Sequence, residues 1–166
     1  ICFLDIAASV ENKKTIIDII RNTAKEVFIP MTVGGGINTI DDIRNILLAG
    51  ADKVSINSAA IKNPEFIKEA SIRFGSQCIV GAIDVKLDSS NKWIVHSHGG
   101  TKKTDKEGIV WIKELEKLGA GELLITSMDK DGTKTGFDNS FLKMISSEVN
   151  IPIIASGGAG ELAHFK

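Results

Sequence analysis

Cys78-Ile79-Val80-Gly81-Ala82-Ile83-Asp84-Val85-Lys86 is the stretch from which the rest of the chain is read. It is apolar without interruption until Asp84, the pattern of a strand covered on both faces in a parallel sheet. Asp84 then stands near the C-terminal end of that strand, where parallel α/β folds gather their chemistry. A strand-end aspartate can equally cap a turn, so Asp84 alone leaves both roles open. The other strand ends favour chemistry.

Immediately after Asp84 the sequence turns polar. Leu87 to Thr104 contains Trp93-Ile94-Val95-His96-Ser97-His98, an alternating pattern. This reads as a hairpin-like insertion at about 87–104, with Ser89-Ser90-Asn91 as its turn. Further on, Gly108 to Leu118 has helical spacing and stops at Gly119, and Glu122 to Ser127 is a strand leading into Asp129-Lys130-Asp131-Gly132-Thr133. A helix follows from about Asn139 to Val149, and Ile151 to Ser156 is the last strand, ending in Gly157-Gly158-Ala159-Gly160.

On the N-terminal side, Ile1 to Ile6 reads as a strand ending at Asp5, and Lys14 to Val27 as an amphipathic helix. Ile29 to Val33 is a strand followed at once by Gly34-Gly35-Gly36. Thr39 can cap a helix that carries Asp41 and Asp42 in its first turn and stops at Gly50. Lys53 to Asn57 is a strand, and Asn63-Pro64-Glu65 opens a helix that ends near Gly75.

Six strands with helices in the five intervals between them predict a parallel sheet with right-handed crossovers. Ile29-Pro30 leading to Gly34-Gly35-Gly36 is echoed by Ile151-Pro152 leading to Gly157-Gly158, about four βα units later. A fourfold offset suits two halves of an eight-unit barrel better than a doubly wound sheet. The expected fold is therefore α/β, a single (βα)8 TIM-barrel domain over residues 1–166, incomplete here. The chain opens at Ile1 inside a strand pattern and stops at Lys166 just after a helix begins, as expected of a piece of a longer protein.

Composition sets the outer limits. A net charge of −1 offers no basic field for nucleic acid or an anionic membrane. No apolar run approaches a membrane span, and a cytoplasmic location is expected. Cys2 and Cys78 lie in apolar runs and read as buried thiols rather than a disulfide. His96 and His98 would point to the same side of a hairpin strand, but no third ligand stands at zinc spacing; neither a metal nor a cofactor is expected.

The two glycine turns each follow a buried strand and precede a helix. Bare backbone N–H groups there can approach an anion, and a helix start adds partial positive charge. Gly35 and Gly36 on one side, and Gly157 and Gly158 on the other, would face each other across a barrel mouth and hold a substrate with a phosphate at each end. Tight βα turns are the alternative reading. Asn57 and Ser58 could complete the first phosphate site, Asp131 and Gly132 the second, and Thr126 and Ser127 are substrate contacts or inward filler. Lys53 and Glu122 stand at strand starts, on the opposite face, as a charged plug or a gate.

Taken in order, Phe3-Leu4-Asp5-Ile6, Thr32-Val33-Gly34-Gly35-Gly36-Ile37, Gly50 to Asn57, Phe74-Gly75-Ser76-Gln77, Ala82-Ile83-Asp84, Asp129 to Thr133 and Ala155 to Gly160 resemble the cyclase subunit of imidazole glycerol phosphate synthase, from histidine biosynthesis. The resemblance covers essentially the whole chain. It implies a (βα)8 barrel in which this chain runs from about strand 2 to helix 7. It implies a reaction of ammonia with a ribulosyl-formimino aminoimidazole carboxamide nucleotide, which gives imidazole glycerol phosphate and an aminoimidazole carboxamide ribotide. Of the two aspartates such cyclases use, Asp84 matches the one on the fifth strand; the one on the first strand has no counterpart, so the chain alone is expected to be inactive. The resemblance further implies a glutaminase partner that delivers ammonia at the barrel bottom. Lys53 and Glu122 match gate residues there, and Asp52 and Gln77 match the partner interface. The sister isomerase of the pathway, an ammonia-using paralogue for sugar amidination, and a non-catalytic phosphate-binding fragment are the competing readings.

Overall fold

Apolar runs become strands and amphipathic runs become helices in alternation through most of the chain. The computed structural model describes residues 1–5 and 13–166. Its strands are β1 (Cys2–Leu4), β2 (Thr32–Gly34), β3 (Lys53–Ile56), β4 (Ile79–Leu87), β5 (Trp93–Ser97), β6 (Lys102–Glu107), β7 (Glu122–Ser127) and β8 (Ile153–Ser156). Its helices are α1 (Lys13–Glu26), α2 (Ile40–Leu48), α3 (Ser58–Lys62), α4 (Glu65–Phe74), α5 (Gly108–Lys117) and α6 (Asn139–Ser146). No helix among the described residues is long and apolar enough to cross a membrane.

Six strands pair in parallel in the order β1-β2-β3-β4-β7-β8, each beside its neighbour in the alternation. That is the strand order of a (βα)8 barrel, present here as an open arc. Among the described residues β1 and β8 each pair on one side only. Residues in register point to one face, and this sorts the side chains into two sets. Lys53, Ser55, Val80, Ala82, Asp84, Glu122, Leu124 and Thr126 share the inner, pore face. Val54, Ile56, Ile79, Ile83, Val85, Leu123 and Ile125 alternate with them and are buried against the helices. A Cβ on Gly81 would press on Leu115 of α5, so glycine there lets helix and sheet close up.

Local chemistry sets the helix ends. Thr39 Oγ1 accepts from the Asp42 amide at 3.1 Å, and the Asp42 carboxylate accepts from the amides of Asn38 and Thr39, each at 3.0 Å. This capping box closes the start of α2. Asp138 caps α6 through the Phe141 amide at 3.2 Å and also accepts from Ser127 Oγ at 3.1 Å, which ties the end of β7 to that helix.

The insertion is larger than its polar stretch suggests. β4 runs three residues past Asp84, pairs antiparallel with β5, and β5 pairs antiparallel with β6 as far as Glu107. Asn91 supplies the left-handed residue of the first turn, and His98, Gly99 and Gly100 are all left-handed in the second. His98 therefore leaves the strand and does not share a strand face with His96. Trp93 of β5 stacks on Phe141 of α6 at 4.8 Å and 25°, and this pins the antiparallel flap to the helix layer.

Other expectations are corrected. Cys2 is exposed and Cys78 half-buried, in a 3₁₀ turn (Ser76–Cys78) rather than in β4; both thiols are free. Short strands at the arc's edge and at the strand-start end leave these positions uncovered. The helix α3 after β3 has too few residues to show a period in the sequence. The expected strand end at Ile6 lies outside the described residues.

Phe141→Ala removes both the stack and a fully buried ring. The expected loss is about 3–5 kcal/mol in equilibrium urea unfolding; a loss below about 1 kcal/mol would show that the flap is held by other contacts.

Candidate active site

Asp84 sits on β4, the middle strand between the two glycine turns that follow β2 and β8. Its pore-face neighbours in register are Thr126 on β7 and His96 on β5. From β3, Asn57 Nδ2 donates to Asp84 Oδ2 at 3.0 Å. Burial pushes the Asp84 carboxyl above the ordinary carboxylate range. The Asn57 amide, the attraction of His96 and the Thr126 hydroxyl pull it partly back, while the Asp131 carboxylate adds to the rise. A half-buried carboxyl of this kind, hydrogen-bonded and raised, suits proton transfer. Asn57 Oδ1 is buried and makes no hydrogen bond among the described residues; nor does Ser55 Oγ one layer below. Asn57 Oδ1 can accept, and the Ser55 hydroxyl, on the pore face of β3, can donate or accept.

Ser58 and Ser127 each make a hydrogen bond to a neighbouring element. Ser58 Oγ accepts from the His98 amide at 2.9 Å, linking the end of β3 to the flap. Ser127 falls on the helix side of β7, where it meets Asp138, so it is not an inward contact; Thr126 is. Asp131 is exposed in the loop after β7, with its amide bonded to the Ser127 carbonyl at 2.9 Å, and Gly132 beside it is left-handed.

The glycines have a packing reason of their own. Gly35 is left-handed, and a Cβ there would strike the Asp5 carbonyl; Gly158 is left-handed, and a Cβ there would strike the Gly136 carbonyl. Each turn therefore holds a neighbouring loop at backbone distance. The amides of Asn38 and Thr39 just before α2 are taken by the Asp42 carboxylate, and the Asp42 amide by Thr39 Oγ1, so an anion there would rely on the amides of the glycine turn. The segment after Gly157 and Gly158 is a short 3₁₀ turn (Leu162–Phe165).

At the other end of the arc, Lys53 Nζ meets Glu122 Oε2 at 2.7 Å, reaching from β3 to β7 over the start of β4. The pair lies on the pore face at strand-start level. Asp52 beside it accepts from the Met31 amide at 2.7 Å and holds the loop before β2. Gln77 packs on Gly75 in the loop before β4, exposed at the same end.

Two outcomes follow. A raised acid binds its proton more tightly folded than unfolded, so its contribution to stability falls as pH climbs from the ordinary carboxylate range through the raised value. Asp84→Asn is therefore expected to melt higher than wild type at about pH 7 and equally at about pH 3, by calorimetry; equal melting at both would refute the raised carboxyl. Lys53→Met strands a mostly buried Glu122 carboxylate and should cost about 1–3 kcal/mol, largely recovered by adding Glu122→Leu. No recovery in the double variant would mean that the pair does not act as a unit.

Known proteins match this chain in sequence along nearly its whole length. Residues 1–166 fit the model of a family described as histidine biosynthesis protein. The chain is 58% identical over 163 residues to the imidazole glycerol phosphate synthase subunit HisF of Endomicrobium trichonymphae, covering 98% of this chain and 63% of that protein. It is 56% identical over 165 residues to the protein of the same name from Hydrogenobaculum sp. (strain Y04AAS1), covering 99% of this chain and 66% of that protein. It thus spans about two thirds of the length of these curated relatives. With a parallel barrel arc, a half-buried mid-arc aspartate and a family match from first residue to last, this chain belongs to the histidine biosynthesis protein family.

Proposed function

We propose that this chain carries the cyclase site of imidazole glycerol phosphate synthase. Ammonia and the ribulosyl-formimino aminoimidazole carboxamide nucleotide combine, and the products are imidazole glycerol phosphate, the aminoimidazole carboxamide ribotide and water. The observation that carries this reading is the place of Asp84: mid-arc, half-buried, with raised proton affinity, between two left-handed glycine turns at the strand-end rim. Gly35, Gly36, Asn57 and Ser58 would take one terminal phosphate, and Thr126, Asp131, Gly132, Gly157 and Gly158 the other. Asp84 would move protons at the reacting carbon-nitrogen centre. The likeness to proteins named as HisF subunits supports this substrate over that of the sister isomerase.

Ammonia would come from a glutaminase subunit docked at the strand-start end. Lys53, Ser55 and Asn57 lie in line on the pore face of β3, from the ion pair with Glu122 up to Asp84. That line of polar groups supports a path for a small hydrogen-bonding molecule. Lys53 and Glu122 would gate it, and Asp52 and Gln77 would border the partner.

The test separates binding from turnover. Titration calorimetry of the chain with the ribulosyl nucleotide, which has a phosphate at each end, should give affinity at least about tenfold above that for the single-phosphate ribotide. Equal affinities, or no binding of either, would overturn the two-phosphate reading. With ammonium supplied, the 166-residue chain is expected to form no product above background, because the first-strand aspartate of the cyclase pattern has no counterpart in it. Robust product formation would show that Asp84 suffices.

A further inference from the structure

Register places more than Asp84 at the strand-end rim. Thr126 on β7, Asp84 on β4, His96 on β5 and Lys103 on β6 pair in one continuous row across four strands. Directly opposed residues share a face and stand about 5 Å apart at Cβ. The row therefore sets a hydroxyl, a carboxyl, an imidazole and an ammonium side by side along the flap. The next row, Lys86 opposite Ile94, extends it with another cation on the β4 side.

His96 is not a free ring. Its Nδ1 lies 3.1 Å from the Gly100 carbonyl, across the left-handed turn that joins β5 to β6. A carbonyl only accepts, so Nδ1 carries the proton shared with it. The ring's orientation is thus set by the backbone of its own hairpin.

We propose that His96 is a positioning residue of the Asp84 site, a cation partner set beside the carboxylate by strand register and by the Gly100 carbonyl. It keeps Asp84 anionic and directed at Asn57 while the ring is charged. The inference rests on the reading of Asp84 as the reacting group, but not on the identity of the substrate.

The surrounding charges fit such a role. Asp84 is faced by Asp131 from the loop after β7, a like charge that favours its proton, and by the donors Asn57 and Thr126. His96 is faced by Asp84 from β4 and by Lys103 from β6. Lys103 and His96 repel, and Asp84 is the anion in register with the ring. A histidine carries its charge through the acid range in which carboxylates titrate. The attraction between the His96 ring and the Asp84 carboxylate opposes the rise that burial imposes. Asn57 and Thr126 act on Asp84 as neutral hydrogen-bond donors, whereas His96 acts on it through charge.

Carboxyl carbon NMR of the 166-residue chain, following Asp84 through a pH titration, tests this directly. His96→Gln should shift the Asp84 midpoint upward, and His96→Lys, which restores a cation without the ring, should bring it back towards wild type. Lys103→Met should shift it far less than His96→Gln, because Lys103 lies a strand further away. In wild type, ring nitrogen NMR should show the His96 Nδ1 protonated, as its bond to the Gly100 carbonyl requires. This last measurement needs no variant to fold. An unchanged Asp84 midpoint in a folded His96→Gln chain, or a neutral ring protonated at Nε2, would overturn the inference. Failure of the nucleotide to bind would overturn the proposed function and leave this coupling standing.

Discussion

One edge of β4 serves two partners. β7 occupies the opposite edge from Val80 to Val85, so β3 and β5 must share the remaining one. β3 pairs with Ile79 to Gly81, and β5 takes over at Asp84. The handover leaves room at the end of β3, and Asn57 fills it by donating to Asp84. The carboxyl sits where a parallel partner stops and an antiparallel one begins. It is hydrogen-bonded from one side, paired in register from two, and half-buried by all three strands. The rest of the site is placed relative to that junction.

The junction explains why burial and charge can coexist there. A carboxylate in the middle of a fully paired parallel sheet would lose its water with little return. Here the flap leaves the barrel wall and keeps the rim partly open, while Asn57, Thr126 and His96 replace lost hydration. The flap holds its position through an apolar side that the sequence does not advertise. Val85 and Val95 are buried, and Trp93 lies on Phe141. Gly108 starts α5 against that cluster, so the antiparallel excursion re-enters the α/β layer without a linker.

Charge at the two ends of the pore is handled differently. At the strand-start end Lys53 and Glu122 neutralise each other across the arc. At the strand-end rim the groups are not paired off one to one: the carboxylates Asp84 and Asp131 stand near the His96 imidazole, with Lys103 and Lys86 on the same face. A matched pair closes a surface, whereas an unmatched set can exchange protons. The glycine turns belong to the same rim. Their left-handed backbones let the loops after β1, β2, β7 and β8 approach at backbone distance, whatever they also bind.

Much of this was legible in the chain of residues. The apolar run around Ile79 to Val85, the alternation of strands with helices, the bounds of α5 and β7, and the cap at Thr39 all depend on local periodicity and local hydrogen bonding, and these act within a few residues. Asp84 could be singled out for the same reason: a lone acid at the end of a buried strand is a local anomaly. What local pattern could not supply was anything set by register. That His96 stands opposite Asp84 while His98 turns away, that Ser127 faces a helix and Thr126 the pore, and that Lys53 reaches Glu122 over an intervening strand are all consequences of which strand pairs with which, and at what offset. A shift of one residue in any pairing would exchange the two faces, and that choice is made by packing across the sheet, not by the sequence of either strand alone.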